Sequence, residues 1–369
     1  MTETPIRIAQ IVGKMMGGGV EAVVMNYYRH IDRSRVQFDF LVDADSTLVP
    51  RDEIESLGGR VFEIPPYQHV VAYQRELQHL FKQEGWKIVH SHINSLSVFP
   101  LRAAKKTGVP VRIAHSHSTS GKGEYAKNAL KTMLKTQANR YPTHRFACSR
   151  YAGEWLFGKG THFDVIYNAI DLERFSFDTE ARAQMRDDLG LDVDQFAIGH
   201  VGRFTAQKNH GFLIDVFEQV AMRRDDAVLL LVGTGEDEDS VRAKVAERGL
   251  TDRVKFLGQR DDVDRLYSAF DVFVLPSLYE GLCVVGVEAQ AAGLQCLFSD
   301  AITREVNVSR ESEFLTIDDP APWVDGLCNL SINGLVSREL ITPGRFANYD
   351  INAQAHLLTE KYEKLYKDC

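Results

Sequence analysis

The sequence predicts an α/β protein made of two Rossmann-like, doubly wound parallel-sheet domains facing a central cleft, and three observations lead there. At 369 residues the chain exceeds the ~250–300 at which a single core usually stops growing. Short apolar runs alternate with helical stretches in both halves, as in parallel sheets covered on both faces. A glycine turn opens a helix in each half, at Gly13 to Gly19 and again at Gly202 to Asn209, and such turns bring helix N-termini and bare N–H groups to a ligand.

Composition narrows the class. With 44% hydrophobic and 25% charged residues the chain is an ordinary globular one. A net charge of −8 argues against nucleic acid as the main partner, because that binding is driven by counterion release from phosphates. Five cysteines, Cys148, Cys283, Cys296, Cys328 and Cys369, show neither C-x-x-C spacing nor an even count, so they read as reduced thiols of a cytoplasmic protein. The N-terminus runs into a strand without a basic and apolar leader. No run approaches the ~18 apolar residues of a membrane span.

In the first half, Ile6 to Val12 is an apolar strand and Val20 to Ile31 a helix, with Gly17, Gly18 and Gly19 between them. The spacing is neither G-x-G-x-x-G nor a Walker loop, so nicotinamide cofactors and P-loop chemistry drop out. Strands follow at Val36 to Val42, Arg60 to Ile64 and Lys87 to His92, and helices at Tyr73 to Gln83 and Leu96 to Thr107. The D-x-D at Asp43 to Asp45 is discounted as a metal site, since a chain with 51 acidic residues repeats that pattern by chance. Pro110 to Ser116 delivers His115 and His117 to a strand end ahead of a polar segment. That suits a ligand cleft, with core packing as the competing reading. A zinc reading of this H-S-H pair lacks further ligands at suitable spacing. Lys127, Lys131 and Lys135 form a basic ridge on a helix expected within Lys122 to Arg140, suited to an anionic bilayer or simply to solvent. Short apolar runs at His144 to Ser149 and Phe163 to Asn168 complete the half.

After the polar stretch Ser176 to Gly190, a fresh sheet starts at Phe196 to Val201. Gly202-Arg203 and Lys208-Asn209 then frame a loop ahead of a helix from His210 to Met222. An arginine fork and a mobile lysine together suit a diphosphate. Strands at Ala227 to Val232 and Val254 to Gly258 flank a helix from Asp239 to Arg248, and Gly233 to Glu236 forms an edge that suits a base. Asp271 to Gly293 reads as strand, loop and helix, with Glu280 at the strand's carboxyl end and Glu288 two turns into an apolar helix. Burying Glu288 is costly unless something such as a ligand's hydroxyl pair hydrogen-bonds it. Leu294 to Ser299 adds a strand, and Asp350 to Tyr366 a last helix.

These strings resemble the retaining family-4 glycosyltransferases of the GT-B fold, strongly over 199–300 and more weakly over 6–175. Glu280-Gly281-Leu282 through Glu288 is similar to that family's E-x7-E region, with Leu282 where Phe is usual. Gly202-Arg203 to Lys208-Asn209 is similar to its G-R-x-x-x-x-K-N element, and Asn168-Ala169-Ile170-Asp171 to the N-G-I-D segment at its domain crossing. The resemblance implies domains at 1–170 and 171–349, the first completed by a C-terminal helix over 350–369. It further implies that Arg203 and Lys208 hold a donor diphosphate, that Glu280 approaches the donor sugar and that Glu288 binds the ribose. His115, with His117 as fallback, would meet the sugar's 6-hydroxyl, and the Gly17 to Gly19 turn would lie beside the diphosphate.

The expected activity is therefore transfer of a hexose from a UDP- or GDP-type nucleotide sugar to an acceptor hydroxyl with retention. The acceptor class is a lipid-linked or polysaccharide-precursor sugar. No metal or further cofactor is expected, and the expected location is cytoplasmic, with peripheral contact at the inner face of the membrane. A sugar-nucleotide epimerase or hydrolase, or a non-catalytic nucleotide-sugar binding module, are the alternatives.

Overall fold

The computed structural model describes residues 4–117, 133–330, 338 and 344–369. The chain divides into two compact units, one of residues 1–120, 124–169 and 348–369, the other of residues 121–123 and 170–347.

The first unit holds a sheet of seven strands: β1 (Ile6–Gly13), β2 (Val36–Asp43), β3 (Arg60–Ile64), β4 (Ile88–Ser91), β5 (Val111–Ser116), β6 (His144–Ala147) and β7 (Asp164–Val165). Their order is β3-β2-β1-β4-β5-β6-β7, and every pairing is parallel. The chain winds outward from β1 to β3, then crosses back to β4 on the other side of β1. That reversal between β1 and β4 is a topological switch point, where the loops diverge and leave a crevice. The helix Ile351–Lys367, N-capped by the Asp350 side chain, packs on this unit through Tyr362, which is 1% exposed. Arg35 to Glu363 at 2.6 Å and Lys361 to Asp164 at 2.9 Å tie its rim down.

The second unit repeats the scheme with β8 (Phe196–Val201), β9 (Ala227–Val232), β10 (Val254–Gly258), β11 (Val272–Leu275), β12 (Gln295–Ser299) and β13 (Glu313–Leu315). Their order is β10-β9-β8-β11-β12-β13, so the switch point lies between β8 and β11. β8, β9 and β11 are buried along their whole length, which explains why they read as unbroken apolar runs rather than alternating ones.

Several elements differ from the sequence reading. The stretch from Ser176 to Gly190 contains a helix, Thr179–Asp188, capped by Asp178. The expected strand Phe163 to Asn168 shrinks to Asp164–Val165. β13 and the helix Ala321–Asn329 were not anticipated. Of the basic ridge, Lys127 and Lys131 lie outside the described residues. The chain leaves helical geometry after Lys135, with turns over 136–140, and the Lys135 ammonium sits 5.1 Å from the Trp155 ring centre. Among the described residues no helix is long and apolar enough to cross a membrane.

Candidate active site

In the second unit both loops at the switch point carry predicted site residues. β8 ends at Val201, and after Gly202 the chain makes a single turn of 3-10 helix at Ala206–Lys208 and a left-handed Asn209 (φ 57) before the helix His210–Arg223. Asparagine is among the few residues that take this conformation readily. The turn folds Lys208 back across Gly202, where an added Cβ would lie 3.1 Å from its Cε. A side chain at position 202 would push the lysine out, which accounts for the glycine.

The loop after β11 is stitched to this one. The Leu278 N–H donates to the Gln207 carbonyl at 2.8 Å, and the Gln207 amide donates to the Tyr279 carbonyl at 2.9 Å. The Lys208 ammonium then reaches Glu280 Oε1 at 2.6 Å, with the two side chains 15% and 10% exposed. Arg203 is exposed and makes no ion pair among the described residues. Burial pushes the neighbouring His200 imidazole down to about 4 and that of His210 down to about 2, so both are neutral and Arg203 and Lys208 supply the positive charge. Gly281 and Leu282 are buried beside Glu280.

The loop after β9 backs this arrangement. A Cβ at Gly235 would lie 2.3 Å from the Phe204 carbonyl oxygen, and one at Gly233 2.3 Å from the Gly202 oxygen. Backbone meets backbone there, and nothing flexible can give way. Gly235→Ala is therefore expected to cost about 1–3 kcal/mol and to displace the Arg203 loop. Chemical denaturation alongside donor-binding isotherms would check this; unchanged stability and binding would mean the loops separate freely.

Glu288 sits in the helix Val284–Ala291, half-buried, and accepts a hydrogen bond from the Tyr267 hydroxyl at 2.9 Å. Burial pushes its carboxyl up to about 7, against the opposing pull of the Tyr267 hydrogen bond and of Arg174.

In the first unit the glycine turn differs from expectation. Gly17 takes a positive φ of 76° that only glycine adopts freely. Its N–H is not bare: the Glu21 carboxylate accepts from the N–H groups of Met16, Gly17 and Gly18 at 2.6 to 3.1 Å. Glu21, three residues past the Gly18 cap, reaches back to the cap's own N–H as the acidic half of a capping box and takes up the two N–H groups ahead of it as well. Around Gly19 an added Cβ would meet nothing within 4 Å, so no close contact requires that glycine.

His115 and His117 come off β5, 2% and 6% exposed. The sequence reading found no partners for them. The parallel pairing of β4 with β5 supplies two, His90 and His92, whose own H-S-H repeats the pattern 25 residues earlier. Ring nitrogens of His90, His92 and His115 lie within 4.8 Å of one another. Burial holds all four imidazoles well below the usual histidine range, that of His117 at about 3.

Two Rossmann-like parallel sheets, each with polar loops gathered at its switch point, are the two-domain α/β architecture of the GT-B fold. Residues 17–174 match the model of glycosyltransferase family 4 and residues 195–333 that of the glycosyl transferases group 1. The chain is 36% identical over 358 residues, 92% of both proteins, to EpsF of Bacillus subtilis (strain 168), whose name places it among glycosyltransferases. It is 25% identical to the Escherichia coli UDP-Gal:alpha-D-GlcNAc-diphosphoundecaprenol alpha-1,3-galactosyltransferase, covering 86% of this chain and 85% of that one. In fold it is similar to HepE of Anabaena in complex with UDP-glucose, with a TM-score of 0.81, 18% identity, and 97% and 99% of the two chains covered. The chain belongs to the group 1, family 4 glycosyltransferases.

Proposed function

We propose that this glycosyltransferase moves a hexose from a nucleotide sugar to a hydroxyl of a lipid-linked or polysaccharide-precursor sugar, with retention at the anomeric carbon. The observation that carries the reading is the 2.6 Å contact of Lys208 with Glu280 at the switch point of the second sheet. An ammonium suited to a leaving diphosphate and a carboxylate suited to sugar hydroxyls are held there side by side. Arg203 and Lys208, with the N-terminus of the helix His210–Arg223, would stabilise charge growing on the diphosphate. Glu280 and His115 would orient the hexose, and Glu288 would hold the ribose. The Escherichia coli relative, named for a UDP-sugar donor and a diphosphoundecaprenol acceptor, supports a donor and acceptor of these classes. A peripheral bilayer contact through Lys127, Lys131 and Lys135 belongs to the same proposal.

Incubation with UDP-, GDP- and ADP-sugars and a lipid-diphosphate sugar acceptor, followed by NMR of the product's anomeric centre, tests it. Transfer with an axial-to-axial outcome is expected. An inverted product overturns retention, and epimerised or merely hydrolysed donor overturns transfer.

The ribose role of Glu288 has a pH signature. Ribose hydroxyls donate to a carboxylate, so the ionised form binds the donor, and ionisation falls away below about 7. Donor affinity should therefore rise about tenfold from pH 6 to pH 8. In Glu288→Gln it should be weaker and flat with pH, and a 2′-deoxyribose donor should lose little more. A Glu288→Gln profile as steep as wild type would assign the titration to another group.

A further inference from the structure

His200 lies in the floor of the second sheet's switch point. The pairing of β8 with β11 runs through Ile198 with Val272 and Gly199 with Phe273. One residue further on, a side chain bridges the two strands instead: the His200 ring, 0% exposed, places Nδ1 2.9 Å from the Val274 carbonyl oxygen. A carbonyl only accepts, so Nδ1 carries the proton. Burial keeps the ring neutral, and a neutral imidazole protonated at Nδ1 has a bare lone pair on Nε2. That nitrogen is buried and has no hydrogen-bond partner among the described residues. The His210 ring packs perpendicular to His200 with centroids 4.6 Å apart, and Phe204 stacks on His210 in turn at 4.1 Å.

This lone pair and the Lys208 stem border one and the same point. A Cβ added to Gly202 would lie 3.2 Å from His200 Nε2, 3.2 Å from Lys208 Cδ and 3.1 Å from Lys208 Cε. The ammonium itself is turned to Glu280 Oε1 at 2.6 Å, its one partner among the described residues. The two acceptors do different things to a cation. A carboxylate offsets its charge, so the pair attracts a further anion weakly. A neutral imidazole fixes the direction of an N–H and leaves the charge in place. An ammonium that is to meet a diphosphate while its carboxylate is engaged elsewhere needs an acceptor of the second kind.

We propose that His200 is a positioning residue for Lys208, its Nε2 forming a second seat for the ammonium that is taken up when Glu280 turns to the hydroxyls of a bound sugar. Rotation about the last carbon–carbon bond of the lysine carries Nζ from one seat to the other. Gly202 keeps the way open, because a side chain there would fill the space between the lysine and the imidazole. Neutrality of His200 is part of the device: an imidazolium has no lone pair to offer and repels the lysine. The inference rests on the hexosyltransferase reading only for the ligand that draws Glu280 away; the exchange between the two seats belongs to the chain itself.

Glu280→Gln removes the first seat, so the exchange is readable without any donor. Long-range proton–nitrogen NMR of the full chain at neutral pH should show His200 protonated at Nδ1 in wild type and variant alike. Its Nε2 resonance should move upfield in Glu280→Gln, as a new hydrogen bond forms, and return when Lys208→Met is added. A wild-type His200 protonated at Nε2, an Nε2 resonance unmoved by Glu280→Gln, or the same movement without the lysine, as a water would give, overturns the proposal.

Turnover separates positioning from packing. Glutamine can put its amide oxygen where Nε2 stands, whereas asparagine puts its amide nitrogen where Nδ1 stands. His200→Gln should therefore rescue kcat to within about threefold, and His200→Asn should lose about ten- to hundredfold in kcat with KM little changed, the loss expected for one hydrogen bond to a charged group. If His200 does no more than tie β8 to Val274, asparagine is the better substitute, and that order overturns the proposal. Should neither variant fold, the resonances of Glu280→Gln decide. Failure of the wild type to transfer sugar would count against the hexosyltransferase reading and leave the NMR result standing.

Discussion

Lys208→Ala should lower turnover by roughly 10²–10³-fold, about 2.7–4 kcal/mol of transition-state stabilisation, with the fold retained. The residue closes a one-turn element after β8, and its methylene stem lies against Gly202. What the substitution removes is a cation positioned where diphosphate charge would grow. It also removes the ammonium that pairs with Glu280 at 2.6 Å, so Lys208→Ala alone mixes two effects. Glu280→Gln separates them. If Lys208 served only to hold Glu280, the double variant would be no worse than Glu280→Gln. If the lysine acts on the leaving group, the double variant should lose a further tenfold or more in kcat. Lys208→Arg should not rescue, because the planar fork cannot fold across a gap in which a Cβ would already meet the lysine at 3.1 Å. Turnover near wild type in Lys208→Ala would remove this lysine from the mechanism.

The separate halves of this site were legible in the sequence, because glycine turns and apolar strands are local signals. Their meeting was not. Lys208 and Glu280 are 72 residues apart, and they touch only because β8 and β11 are neighbours across the switch point; strand order leaves no trace in either loop. Glu21 shows the opposite case. Its place three residues after Gly18 was a visible capping signal, yet the glycine turn was read as open to an anion. The paired H-S-H at 90–92 and 115–117 was likewise in plain view, and only knowledge that β4 and β5 are adjacent turns it into four rings. Helix Thr179–Asp188 escaped for a different reason. Its buried residues are Ala181, Met185 and Arg186, so its inward face is partly charged and carries little apolar periodicity.

That inward charge leads to the largest expected loss of stability. Asp271, just ahead of β11, is 0% exposed and accepts from Arg182 at 2.6 Å, from Arg186 at 3.3 Å and from the Ala197 N–H of β8 at 2.7 Å. One carboxylate thus joins the starts of β8 and β11, the two strands whose far ends hold Lys208 and Glu280, to the helix Thr179–Asp188. Asp271→Ala would leave Arg186, 7% exposed at its side chain, without a carboxylate and the Ala197 N–H without an acceptor. Removing one member of a buried ionic cluster costs about 3–5 kcal/mol, because the other charge stays desolvated. Asp271→Asn, which keeps the acceptor for Ala197, should cost less. Two units need not unfold as one, so a single melting temperature is the wrong readout; hydrogen exchange resolved by unit is the right one. Asp271→Ala should weaken protection in β8 and β11 and leave β1 and β4 unchanged. Asp39→Ala should do the reverse, since Asp39 plays the equivalent part in the first sheet with Arg7, Arg60 and Trp86. Equal protection in β8 and β11 with and without the Asp271 carboxylate would show that apolar packing alone holds the switch point together, and that the ionic cluster beneath it contributes nothing to keeping Lys208 and Glu280 in place.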